Sequence, residues 1–276
     1  MEEIKLNDGV KIPQLGFGTW KLKGDEAYES IMEAIEIGYR HIDTAQAYGN
    51  HFEVGKAVRD SNLKREKFFI TSKVWHSNLK YDDVIIAGKQ SLEELDMDYL
   101  DLFLIHWPNH NIKISETLEA LMILKEQGLV KSIGVSNFTV DHLKEVLDVG
   151  IQPSVNQVEY HPTFNQEELK AFCNGNNIVL TAYSPLGQGD DLKLVPIKRL
   201  AKKYEKTTSQ IIIKWLLSKD LIVIPRSSNK QHIKENFDVF DFNLKQEDRK
   251  LIDDLDENNR QINPSFGEFD YSFRKI

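Results

Sequence analysis

The chain has 276 residues, 41% of them hydrophobic and 28% charged, with a formal net charge of −8. That is the composition of a globular protein, and a chain this long buries roughly three quarters of its unfolded surface without needing disulfides or metal. The acidic balance argues against nucleic acid or an anionic membrane as partner, while leaving room for an anionic small ligand in a locally basic pocket.

Residues 3 to 13, EIKLNDGVKIP, read as a hairpin turning at Asn7-Asp8-Gly9. The first fifteen residues carry Glu2, Glu3, Lys5, Asp8 and Lys11, so they contain no secretory hydrophobic region. No apolar run approaches the ~18 residues of a membrane span. A cytoplasmic protein without membrane attachment is expected. From residue 15 to about 240, two kinds of segment alternate. Eight are short and apolar: LGFGT, RHID, KFFITSKV, YLDLFLIH, VKSIGVS, SVNQVEY, NIVLTAYS and LIVIPRS. The others have helical spacing. Ala27, Ile31, Ala34 and Ile35 fall on one face, as do Leu118, Leu121, Met122 and Lys125. Capping-box spacings occur at Asn165/Glu168 and Thr207/Gln210. Between the seventh and eighth apolar runs there is room for two helices, about 194–205 and 208–219, and a further helix follows residue 245. The chain ends in an aromatic tail whose Phe266, Phe269, Tyr271 and Phe273 could fold over a barrel mouth. The single cysteine, Cys173, sits in EELKAFC on what reads as a buried, inert helix face.

Continuous apolar strands imply burial on both faces, as in parallel sheets. Dividing the length by ~150 residues would allow two domains, yet eight β-α units fit a closed (β/α)8 barrel better than an open sheet. No Pro/Gly/Ser-rich linker divides the chain, so one domain over residues 1–276 is expected, with an N-terminal hairpin and two extra helices.

Barrel chemistry sits at the carboxyl ends of the strands. There, Asp43 closes the second strand with Tyr48 in the loop beyond it, Lys73 closes the third and His106 the fourth. Each has a plainer reading alone: a helix cap, a packing ring, a solvated lysine, a core histidine. Together they make a tuned acid. An ammonium beside a phenol lowers its pKa, a carboxylate keeps the lysine charged, and a histidine aims the substrate oxygen. Reduction of a carbonyl needs such a proton donor. The other half of the rim offers Ser136-Asn137, Gln157, Tyr183-Ser184 and Pro225-Arg226-Ser227. Amides, hydroxyls and a flat phenol suit a polar aromatic ligand, and Arg226 near a helix start suits phosphate. No Rossmann fingerprint is present: GFGTWK has Lys21, and GQGDDL has Leu192, where the third Gly is needed. No histidine pairing supports a metal site, and no G-x-S-x-G elbow supports a serine hydrolase.

In order, GYRHIDTAQAYGN, ITSKVW, DLFLIHWP, IGVSNF, VNQVEYHP, AYSPLGQG and IPRS…EN resemble the aldo-keto reductases over essentially the whole chain, nearest to short microbial members such as diketogluconate and glyoxal reductases. The resemblance implies a (β/α)8 barrel enzyme that uses NADPH to reduce aldehydes and ketones, acting as a monomer on small carbonyl substrates. Tyr48 would be the proton donor, Lys73 and Asp43 its tuning pair, and His106 the group that orients the carbonyl. Tyr183 would stack on the nicotinamide, with Ser136, Asn137 and Gln157 holding its carboxamide. Gly18, Thr19, Trp20 and Asp43 join the cofactor set, Ser184, Pro185, Leu186, Gly187, Arg226, Ser227 and Ser228 would serve the phosphates, and Glu235 and Asn236 the adenine. Trp20, Trp75 and Trp107 would line the substrate pocket beside Tyr48 and His106.

Two positions depart from the family pattern. His232 stands where NADPH-preferring relatives carry an Arg that clasps the 2′-phosphate, so NADPH use rests on Arg226, and NADH use is also expected. His51 replaces the usual Glu or Gln at the start of the helix after Tyr48, with a minor effect on pH dependence expected. Two other classes compete with this reading. One is a non-catalytic cofactor-binding regulatory protein on the same fold. The other is a barrel hydrolase or isomerase working through carboxylates or a metal.

Overall fold

A computed structural model describes residues 2–273; Met1 and residues 274–276, the ends of the expected domain, lie outside the described residues. The N-terminal hairpin forms as expected. Its strands β1 (Glu3–Lys5) and β2 (Lys11–Pro13) pair antiparallel with Ile4 opposite Ile12. The Leu6 N–H donates to Val10 O at 2.8 Å across the turn, where Gly9 takes φ +89°, a conformation open to glycine for want of a Cβ.

All eight apolar runs become strands: β3 (Gly16–Gly18), β4 (His41–Asp43), β5 (Phe69–Val74), β6 (Leu100–Ile105), β7 (Val130–Ser136), β8 (Val155–Glu159), β9 (Val179–Tyr183) and β10 (Ile222–Val223). They run parallel and lie side by side in chain order. The last strand meets the first: Val223 N–H donates to Gln14 O at 2.8 Å, Gly18 N–H to Pro225 O at 3.0 Å, and Leu15 bridges Val223. The sheet is therefore a barrel of eight strands.

Ten helices surround it among the described residues. These are α1 (Gly24–Ile37), α2 (His51–Asp60), α3 (Tyr81–Leu95), α4 (Ile114–Glu126), α5 (Val140–Asp148), α6 (Glu167–Gly175), α7 (Val195–Tyr204), α8 (Thr208–Leu217), α9 (Lys230–Phe237) and α10 (Gln246–Asp253). The two helices anticipated between β9 and β10 are α7 and α8. In α1 the expected face, Ala27, Ile31, Ala34 and Ile35, is buried. In α4 the buried face is Thr117, Leu118, Ala120, Leu121 and Leu124; Met122 and Lys125 lie on its edge, and Lys125 pairs with Asp8 at 2.7 Å. The Thr207/Gln210 capping box forms. The one expected at Asn165/Glu168 does not, because Asn165 Nδ2 donates instead to Asp253 O at 2.9 Å and α6 starts a residue later without a side-chain cap. Cys173 is buried, and burial pushes its thiol up to about 12, as an inert core cysteine requires. Among the described residues, no helix is long and apolar enough to cross a membrane.

Strand periodicity then sorts the lumen into levels. At the floor, Leu6 and Ile12 of the hairpin pack against Phe69, Leu102, Leu104, Val155, Ile222 and Ile224, plugging the barrel from below. One level up, His41 fills the space left by Gly16, where a Cβ would sit 2.5 Å from His41 Nδ1, and its Nε2 meets Thr71 Oγ1 at 3.1 Å. Burial, then the Lys73 charge, pushes His41 down to about 3, so it is a neutral filler. Two residues further along the same strands, the inward positions become Asp43 and Lys73. An apolar floor thus carries a charged upper layer.

Candidate active site

The charged layer is built on short local devices. Beyond β4, the chain turns back through Thr44, whose hydroxyl donates to Asn50 Oδ1 at 2.6 Å. Buried Asn50 in turn donates to Thr19 O and Leu22 O, both at 3.0 Å, tying the loop to the one after β3. Residues 46–48 form a single tight helical turn that ends at Gly49, and this turn sets Tyr48 over the strand ends.

The four residues read from the strand ends do converge. Lys73 Nζ lies 2.6 Å from Asp43 Oδ1, 2.7 Å from Thr44 O and 3.4 Å from Tyr48 Oη. Three acceptors match the three N–H bonds of an ammonium. Asp43 is satisfied on its other oxygen by the Gln157 Nε2–H at 2.7 Å, across the lumen. The Tyr48 ring meets the His106 ring edge to face at 5.6 Å, and Trp75 meets His106 at 5.2 Å.

In the ligand-free protein burial, then the negative charge of Asp43, holds the pKa of the Tyr48 phenol well above 10. Lys73 itself is pulled down by burial against the support of Asp43. Its charge is largely spent on that carboxylate, so burial wins at the phenol. The consequence is a hydroxyl that stays protonated across the neutral range, with an ammonium beside it to steady a phenolate once the proton leaves. His106 is held well below its usual range by burial and by the Lys73 and His76 charges, so its ring is neutral and has one N–H to give. Its Nδ1 is buried without a partner. A lone pair there costs less than an orphaned N–H, which favours the proton on Nε2.

Asp43, Tyr48, Trp75 and His106 form one end of a cavity of about 810 Å3, with Lys73 buried against Asp43 and Tyr48. Toward the other end its wall passes Ser136, Asn137, Gln157 and Tyr183, then Ser184–Leu186, and finishes at Arg226–Asn229 and His232. The amide cluster is wired internally: Ser136 Oγ donates to Gln157 O at 2.8 Å, Asn137 Nδ2 to His106 O at 3.0 Å, and Tyr183 Oη to Asn137 Oδ1 at 2.7 Å. Asn137 (φ +64°), Ser184 (φ +46°), Gln188 (φ +49°) and Lys21 (φ +67°) all line the cavity in the left-handed region, strain that packed functional walls tolerate. At the far end Arg226 and His232 are exposed, and Asn229 Oδ1 caps α9 by accepting from His232 N at 3.1 Å.

Of the residues expected here, Gly18, Trp20, Trp75 and Trp107 line the cavity, whereas Thr19, Gly187, Glu235 and Asn236 do not. Thr19 is buried and donates to Asp43 O at 2.9 Å. Gly187 lies against the Asp191 carboxylate. Glu235 accepts from Gln231 Nε2 at 2.9 Å, and Asn236 is buried on the inner face of α9. Sequence reasoning missed Lys21, Ala47, Gln188, Gly189, Leu192, Ile224 and Asn229 on the wall, and also Ile262 and Pro264 from the tail. The tail's aromatic run was the available signal. Phe266 stacks on His76 at 4.2 Å and meets Trp75 and Trp107 edge-on at 5.4 and 5.5 Å, while Tyr271 stacks on His142 at 4.3 Å. Glu268 anchors it, accepting from the His110 N–H at 3.0 Å. The tail therefore closes one side of the cavity mouth.

The sequence profile of the Aldo/keto reductase family matches residues 14–190 and 191–257. The chain is 45% identical over 261 residues to the glyoxal reductase of Bacillus subtilis, covering 94% of each protein. Among solved structures, an aldo-keto reductase from a Medee basin deep-sea metagenome library superposes with a TM-score of 0.93 at 43% identity, covering 97% of this chain and all of that one (100%). The Bombyx mori aldo-keto reductase, solved in complex with NADP, superposes with a TM-score of 0.89 at 36% identity, covering 96% of this chain and 95% of that one.

Proposed function

The chain belongs to the aldo/keto reductase family, and from that premise we propose that it reduces small aldehydes and ketones, dicarbonyls among them, to alcohols with NADPH. The observation that carries the reading is Lys73 Nζ bonded to Asp43 at 2.6 Å and to the Tyr48 hydroxyl at 3.4 Å, beside a cavity of about 810 Å3 whose wall includes both Tyr48 and Arg226. The glyoxal reductase relative supports the substrate class, and the NADP complex of the silkworm relative supports the cofactor.

The residues present fit a nicotinamide cofactor. Tyr183 offers a ring face and Ser136, Asn137 and Gln157 a hydrogen-bonding edge, while Arg226, the Ser227 and Ser228 hydroxyls and the start of α9 suit phosphate. When bound, the cofactor supplies a hydride to the carbonyl carbon. Tyr48 gives its hydroxyl proton to the carbonyl oxygen as negative charge develops there. Lys73 donates to the phenolate that remains, and Asp43 keeps that lysine charged against its burial. Neutral His106 donates its N–H to the same oxygen and fixes its direction, and Trp20, Trp75, Trp107 and Phe266 exclude water around it. Product departs as the alcohol, and Tyr48 recovers its proton from solvent.

Arg226 favours NADPH because a guanidinium grips phosphate in two places, while His232 weakens the selectivity, so NADH also serves at lower efficiency. An intact Asp43–Lys73–Tyr48 chain is what a non-catalytic cofactor binder would have no use for. The decisive test follows loss of NADPH absorbance with glyoxal and methylglyoxal. Tyr48→Phe should lower turnover by about 10²–10⁴-fold while leaving NADPH binding, read by fluorescence titration, unchanged. Wild-type protein that binds NADPH yet reduces no member of a carbonyl panel, or a Tyr48→Phe variant with normal turnover, refutes the assignment.

A further inference from the structure

A second buried charged cluster lies outside the cavity. His161 follows β8 by two residues and is fully enclosed, with Nδ1 2.8 Å from Asp191 Oδ2 and Nε2 3.1 Å from Glu159 Oε1. Both ring nitrogens face carboxylates, and only the imidazolium can donate from both. The carboxylates are otherwise well satisfied. Asp191 accepts from the Thr163 N–H at 3.2 Å and from its hydroxyl at 2.9 Å. Glu159 accepts the backbone N–H of Gln261 at 2.8 Å and of Ile262 at 3.0 Å.

Each carboxylate belongs to a different wall of the cavity. Asp191 sits beneath Gly187, where an added Cβ would come within 2.7 Å of its Cγ, and the wall residues Gln188, Gly189 and Leu192 flank it in sequence. Glu159 holds the point from which the tail leaves for Pro264 and Phe266 on the opposite wall. Thr163 reinforces this second hold, its carbonyl accepting from Glu257 N at 3.1 Å and Asn259 N at 2.9 Å.

We propose that His161 is a positioning residue which, as a cation held between Asp191 and Glu159, clamps the 184–192 segment and the 259–266 segment to the end of β8, so that the cofactor-side and substrate-side walls tighten or loosen together. The proposal rests on the reductase reading of the cavity. The groups facing His161 are Asp191, Glu159 and the Thr163 hydroxyl at 3.2 Å; Arg260 and Tyr183 bear on it through the charge of Glu159. Burial opposes the charge, but the hydrogen bonds to Asp191 and Glu159 prevail and push the His161 pKa up to about 9.

The test uses Asp191→Asn and Glu159→Gln, one on each wall, because either amide turns an N–H toward a donor. NADPH dissociation constants, methylglyoxal KM and kcat, and hydrogen exchange are measured at neutral pH. Both variants should raise the NADPH constant and the KM together by about tenfold each, the loss expected for one charged buried hydrogen bond, with exchange faster in both segments. Wild-type protein should show the same paired loss as pH rises through about 9, and the variants should not. The proposal fails if Asp191→Asn moves only cofactor binding and Glu159→Gln only substrate KM, or if wild type shows no paired change across that pH. Should either variant not fold, the wild-type pH series decides alone. A wild type that reduces no carbonyl refutes the reductase reading instead, and the exchange measurement then still tests the clamp.

Discussion

Lys73 and His161 are both fully buried cations beside carboxylates, yet their environments push them in opposite directions. Lys73 has one carboxylate, one peptide carbonyl and one phenol, and burial pulls its pKa down. His161 has two carboxylates, and against burial its pKa rises to about 9. The difference lies in the number of anionic partners set against the desolvation of each cation. It also separates chemistry from architecture. The third hydrogen bond of Lys73 is long and reaches a hydroxyl that faces the cavity, so a change at the phenol is felt by the lysine. The ring of His161 is enclosed on every side and has no such outlet.

Removing the catalytic cation should have the largest effect. Lys73→Met leaves Asp43 buried with Gln157 as its remaining side-chain donor, and we expect turnover to fall by ~10³-fold or more and stability by about 3–5 kcal/mol. Steady-state rates and urea unfolding measure the two losses, and near-normal turnover would place the proton donor elsewhere. Next comes the pH dependence of His161. Its unfolded pKa is near 6.5 and its folded value about 9, so its contribution is complete below 6.5 and vanishes as pH rises through about 9. On the order of 3 kcal/mol should be lost over that window. Thermal melting across the range, flattened in His161→Gln, is the check; an equal slope in the variant would assign the loss to other groups.

At the exposed end of the cavity a cation needs no counter-charge from the protein and remains available to a ligand. His232→Arg should therefore raise the preference for NADPH over NADH by about tenfold, read as the ratio of kcat/KM values, and an unchanged ratio would mean that this position lies away from the 2′-phosphate. The smallest effect should come from His51, whose Nδ1 meets Glu94 Oε2 at 2.7 Å and whose Nε2 meets Ser72 Oγ at 2.9 Å, one residue from Lys73. Burial keeps His51 below its usual range, so it acts as a neutral bridge between α2 and β5. His51→Ala should cost about 1 kcal/mol of stability and less than tenfold in kcat. A larger kcat loss would promote it to a positioning residue of the Lys73 strand.

The strands were legible because residues buried on both faces must be apolar along their whole length, and the site was legible because polar residues at their carboxyl ends interrupt that rule. Asp43, Lys73 and His106 stand out for this reason even before any resemblance is considered. Other features depend on neighbours far along the chain. Asn165 spells a helix cap but bonds to Asp253, and the phenol of Tyr48 sits next to an ammonium yet becomes less acidic, because burial is invisible in a string of residues. Nothing in VEYHP announces that its histidine meets an aspartate thirty positions later and anchors the tail through Glu159.

What the sequence determined by itself was local and periodic: eight apolar runs, helices between them, and ionisable groups at the strand ends, since burial pattern and backbone propensity act over a few residues. What only the tertiary structure decided was which charges share a site, how far each is desolvated and where the aromatic tail comes to rest. Those outcomes depend on distances through space in a medium of low dielectric, and closing the barrel is what sets both.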